Sequence, residues 1–465
     1  MDTLDRRVLL GAAGLLGVAA VASIARGGPL DPPAGPIAPT GKSLDQVRPG
    51  TPIDTIPFII TQPGSYYLTA NFTHNGPGSA LVIEAPDVTI DLAGFTLTGP
   101  GSGINGVEGR TTATNLRVRN GTVTRFAFGV VARGGNAQII DIRAVRNGSG
   151  IVASASLISQ CVAVENTGVG VTTSFAQYAI PGGASVVTGT AALVERCSAI
   201  ANGEGGFDLS EGTQIIDSVA SINKRFGINT ASGSTSGGNR IERCTVIGTV
   251  ADAAVSLPGY GIALGTGSSV TDTTVRGCAS GGIFLASSRN SVRGCIVSAN
   301  GGFGIGSPGT AVSLTNGFLS EISNCHVSGH TGSPGFGIAV VADCSITNNT
   351  VYNNAEAGIV LSGGGNRAIG NQCRGNGRAG GSINLTAQML VFGDRNHIEG
   401  NACNSGPQNG ITILASRNVV IRNVCGGNPN ANYSIGSSNI AGPIIDRVAN
   451  GGAITTSDPT ANISY

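Results

Sequence analysis

Glu204, Asp208, Glu211, Lys224 and Arg225 crowd one stretch of a chain in which only 11% of residues are charged. Two of the carboxylates could act on a glycosidic bond as acid and nucleophile. A carboxylate beside Lys or Arg could instead serve β-elimination from a uronate, in which a base takes the acidic proton and the cation neutralises the substrate carboxylate. Thr172 and Asn229, at the same position of neighbouring repeats, and Tyr178 are the candidate substrate-binding side chains. The same charges also read as a solvated surface cluster with no chemical purpose. No metal site is expected: the 4 His are scattered, the Cys form no C-x-x-C pair, and His326 and His330 fall on a strand and a bend rather than on one helix face. Nothing in the sequence implies a cofactor.

Short strands must position these groups. In the stretch Cys344–Gly377, Ile346, Asn349, Val351 and Asn354 recur one period later as Ala368, Asn371, Cys373 and Asn376, with Gly358-Ile359-Val360-Leu361 between them. Brief alternating apolar runs broken by Gly and Asn, at a period of about 22 residues, predict an all-β fold: a single right-handed parallel β-helix, a solenoid of about 13 or more coils. One repeat column is aliphatic, a second takes small polar or thiol groups, and a third is dominated by Asn, from Asn147 through Asn202 and Asn354 to Asn428. Asn stacked at the strand spacing can bond amide to amide, so this column is expected to form an asparagine ladder. In the strand Gly-[Ile/Val/Phe]-x-[Val/Leu], x points outward. Read from Val131 through Thr172, Asp208, Asn229 and Asn384 to Thr412, x is charged only at Asp208. Insertions at 174–190, 231–238, 307–320 and 386–394 are expected on one side, walling a groove above that row.

Composition limits the partners. A net charge of +1 and only two Lys, Lys42 and Lys224, leave no basic footprint for nucleic acid. Without Trp, Tyr178, Tyr260 and Phe284 are the candidate sugar-stacking rings. The ten Cys largely share inward repeat positions, so they are expected to be buried free thiols rather than a disulfide framework. Arg196, Asp217, Arg243 and Asp272 alternate in sign at one position and are expected to pair as a surface ladder.

Residues 1–25, with Arg6-Arg7 before an apolar run, resemble a twin-arginine export signal. The alternative is an uncleaved membrane anchor, the one route by which a membrane would be a partner. Residues 26–56 read as a Pro/Gly-rich linker, 57–80 as an N-terminal cap, 81–435 as the β-helix and 436–465 as a C-terminal cap or tail.

The segment Val88–Gly99, VTIDLAGFTLTG, the Gln-Pro-Gly-Ser-Tyr-Tyr-Leu-Thr run before it, and the repeated Gly-Ile-x-Val and Ile-x-x-Asn-x-Val units resemble secreted bacterial β-helix proteins of the pectin-lyase-like superfamily. The resemblance spans roughly residues 57–440 and implies a polysaccharide-active or polysaccharide-binding surface outside one sheet. The catalytic motifs of polygalacturonases and pectate lyases are absent from the sequence. Two functions stay open. One is an exported protein, periplasmic, cell-surface or extracellular, that binds and cleaves polysaccharide as a lyase or glycoside hydrolase; the other is a non-catalytic envelope or surface binding scaffold.

Overall fold

The computed structural model describes residues 50–101, 103–174, 191–231, 237–254, 258–307, 316–378 and 386–465. Among these residues every regular element is a strand, and every strand pairing is parallel. One sheet has 16 strands and the other 32. A coil contributes three strands, as in Leu193–Glu195, Ser198–Ile200 and Gly205–Asp208. The first two join the 32-stranded sheet and the third joins the 16-stranded sheet. Each strand bonds to its counterpart one coil away, so Ile158, Val194 and Ile215 stack in register, as do Val171, Phe207 and Ile228. These inward columns form one continuous buried core along the axis.

The bends explain why so short a period closes. Each coil carries left-handed residues five apart, for example Ala191, Arg196 and Ala201, then Gly212, Asp217 and Ile222, then Gly238, Arg243 and Gly248. A left-handed residue turns the chain sharply within one position, leaving three-residue strands between successive corners. Arg196, Asp217 and Arg243 are therefore corner residues. Their pairing is also less regular than the expected ladder: Arg243 Nε donates to Asp217 Oδ1 at 2.8 Å, whereas Arg196 bonds its own neighbour Glu195.

Buried amides line the corner before the third strand. Asn147 donates to Asn166 at 3.2 Å, Asn166 to Asn202 at 2.8 Å and Asn202 to Asn223 at 2.8 Å. A parallel row runs through Asn349, Asn371, Asn401, Asn423 and Asn462. These bonds satisfy amides that would otherwise be buried without partners. They also explain the glycine near the start of many third strands: a Cβ on Gly170 would lie 2.7 Å from Asn202 Nδ2, and one on Gly358 would lie 2.6 Å from Asn376 Nδ2.

The solenoid outruns its expected limits. Strands pair from Thr51–Ile53 to Asn462–Ser464, beyond both ends of 81–435, because the terminal segments supply strands despite their irregular period. One register also differs. The third strand of its coil is Ala387–Val391, with Leu390 opposite Val360, so the outward residue is Leu390 and not Asn384. Met389 and Val391 are the inward aliphatic pair of this strand, and Gln388 accepts from Asn376 Nδ2 at 2.8 Å, in the column where the repeat has Gly406 instead of Asn. Residues 386–394 are thus mostly strand rather than an insertion.

Candidate site on the outer face of the 16-stranded sheet

Thr172, Asp208 and Asn229 face one another on successive coils, being direct register partners. They do not line an open groove. Thr172 is fully buried, Asp208 is 4% exposed and Asn229 is half-buried. Asn229 Nδ2 donates to Asp208 Oδ1 at 3.0 Å, while its Oδ1 accepts from the Ala231 amide at 3.0 Å. Thr172 Oγ1 turns back to the Ser174 carbonyl at 3.1 Å. The outer face that carries this row is itself a second apolar layer: Val131 and Val152 pack against Phe128, and Phe336, Val341, Val360 and Leu390 form a separate buried cluster.

The other four charges do not join Asp208. Glu204 precedes its strand and Glu211 follows it, which separates both from Asp208 along the chain. Glu204 Oε1 pairs with Arg225 NH1 at 3.3 Å, and Arg225 Nε also holds Asp252 Oδ2 at 2.8 Å. This bond holds the Asp252 carboxyl below its usual range. Glu211 and Lys224 are exposed. Tyr178 lies outside the described residues, as does most of the 174–190 insertion.

Beside the polar row stands an aromatic group. Phe226 is the register partner of Tyr260, and the Tyr260 ring lies 4.8 Å from Phe284 and 5.9 Å from Phe303. Burial pushes the Tyr260 phenol up from its ordinary pKa. Phe226 and Phe284 remain half-exposed.

The outward row holds a second carboxylate that sequence reasoning missed. Glu108 is the register partner of Val131 and lies three coils before Thr172 in the same row. It is 3% exposed, pairs with Arg110 at 2.9 Å and Arg133 at 3.3 Å, and accepts from Ser79 and from Asn105 at 3.1 Å. Burial lowers the Arg133 pKa, and Glu108 opposes that shift. Gly106-Val107-Glu108-Gly109 carries the strand pattern except at its last place, where a Cβ would lie 2.6 Å from Leu116 Cδ2. That substitution hid the strand.

Residues 233–391 match the family described as a right handed beta helix region. The described residues form a right-handed parallel β-helix. No curated protein matches this β-helix in sequence. Solved structures similar to it include the tailspike protein of E. coli bacteriophage HK620 in complex with pentasaccharide, at 10% identity over 86% of this chain and 72% of that one, with a TM-score of 0.42. Another is the A-module of an Azotobacter vinelandii mannuronan C-5 epimerase, at 12% identity over 82% and 91% of the two chains, TM-score 0.36. A third is the pectate lyase Pel9A, at 14% identity over 51% of this chain and 64% of that one, TM-score 0.34. Such identities speak to fold alone.

Proposed function

We propose that this β-helix is an exported protein that binds polysaccharide on the outer face of the 16-stranded sheet without cleaving it. The observation that carries the reading is the juxtaposition of Asn229, oriented by Asp208, with the half-exposed rings of Phe226 and Phe284 on one face. Ring faces stack on the apolar faces of sugars, and a fixed amide donates to and accepts from hydroxyls. Asp208 is better placed to orient Asn229 than to act as an acid or base, because it is buried and its two neighbouring glutamates lie beyond the strand ends. Export rests on the Arg6-Arg7 and apolar pattern of residues 1–25, which lie outside the described residues.

Incubation with acidic and neutral polysaccharides, scored for binding and for new reducing or unsaturated ends, tests both parts. Binding without new ends is expected, and Asn229→Ala and Phe284→Ala should each weaken it on the order of tenfold. If new ends appear and Asp208→Asn lowers turnover about 100-fold or more at unchanged melting temperature, Asp208 is catalytic and the binding-only reading fails. The expected position of a mature N-terminus after the signal is checked by sequencing the exported protein.

A further inference from the structure

The second strands of the coils present another outward row, on the 32-stranded sheet, and its chemistry changes along the axis. Val145, Val164, Ile200, Ser221 and Ile247 follow one another in register through the earlier coils. The same row continues as Arg276, Ser298, Ser328, Tyr352, Arg374 and Asn404. The fold accepts Val and Ile at this position, so the change to Arg, Ser, Tyr and Asn is not demanded by strand packing. Arg276 and Arg374 are exposed and form no ion pair among the described residues, while Tyr352 is half-exposed between Ser328 and Arg374. The adjacent outward row adds His326, Thr350 and Gln372 and no carboxylate.

From this row we infer a second glycan-contact surface, on a different face from the Asn229 site, that takes an extended anionic polysaccharide lying along the solenoid axis. The inference rests on the reading that the protein binds polysaccharide. Arg276 and Arg374 are four coils apart, about 19 Å at the strand spacing, so one chain can reach both. Each free guanidinium can grip a carboxylate or sulfate through two parallel N–H bonds. Tyr352 supplies a ring face between them, and Ser298, Ser328 and Asn404 face hydroxyls. Neither row carries an acid to oppose the ligand's charge.

Binding of polygalacturonate, dextran sulfate and neutral dextran to the whole protein should be measured by calorimetry across a salt series. Wild type is expected to bind at least one of the two anionic polymers more tightly than neutral dextran, with affinity falling as salt rises. Arg276→Ala and Arg374→Ala should each lower that affinity on the order of tenfold, and Arg374→Lys should recover only part of the loss. Arg293→Ala, exposed but on a first strand, is the control and should bind as wild type. If wild type binds none of the polymers, the polysaccharide reading itself fails. If it binds but Arg276→Ala and Arg374→Ala match wild type, only the second surface is overturned. Equal competition by a DNA duplex would also overturn it, by reducing the row to a general polyanion contact.

Discussion

His330 occupies a place in the Asn column and behaves differently from the amides around it. Its Nδ1 accepts from the Asn300 amide at 3.2 Å, which requires the neutral ring with the proton on Nε2. Protonating Nδ1 would set two donors against each other, and burial lowers the pKa from 6.5 to about 4. The folded state therefore binds fewer protons than the unfolded state between these values. Stability should be complete above pH 6.5 and fall by about 3 kcal/mol as the pH drops through 4. In urea unfolding at pH 7, 5 and 4, His330→Asn should lose that part of the acid sensitivity while keeping the column; an unchanged pH profile would show that the imidazole does not set it. Glu108 acts at the same scale in the N-terminal coils. Glu108→Gln should destabilise by about 3 kcal/mol, because it leaves Arg133 buried beside a neutral amide.

Corners and thiol stacks set the behaviour of individual coils. Ile222 is β-branched, left-handed at φ 52° and 54% exposed, so it carries backbone strain with little burial in return. Ile222→Gly should raise stability by about 1 kcal/mol, read from the denaturation midpoint. The reverse holds at Gly170, where Ala should cost about 2 kcal/mol or more by displacing Asn202. All ten Cys are buried and free, and Cys373, Cys403 and Cys425 stack in register. Burial pushes the Cys244 and Cys344 thiols up to about 11, which suppresses the reactive thiolate. Alkylation should be slow in the native protein and should reach all ten thiols on denaturation without reductant; recovery of fewer than about eight would point to disulfides.

Among the described residues, strand pairing passes from each coil to its neighbours, so disturbance at one end should stay local. The C-terminal residues close that end. Asn462–Ser464 pairs with Val424–Gly426 and Ile444–Asp446, Asn462 accepts from Asn423 at 3.1 Å, and the Tyr433 hydroxyl donates to the Asn423 carbonyl at 2.7 Å. Deleting residues 458–465 should speed amide exchange in the last coils, from about Val419 onward, and leave the coils around Asp208 protected. Equal loss of protection throughout would mean that the solenoid opens as one unit.

Period and side-chain type were enough to determine the parallel β-helix, the aliphatic columns and the inward Cys, because a repeating coil puts every equivalent residue in one environment. Adjacency of Thr172, Asp208 and Asn229 followed from the same periodicity. Tertiary structure alone decided what lies above a row. An outward position on a strand is solvated only if nothing packs on it, and here Asp208 is buried beside Thr172, with Glu204 turned to Arg225. Register beside long insertions was also undecided in the sequence. Spacing is no guide across a variable loop, and only the pairing of Val360 with Leu390 fixed that strand. Glu108 was hidden for a local reason, a glycine demanded by Leu116 where the pattern calls for Val or Leu.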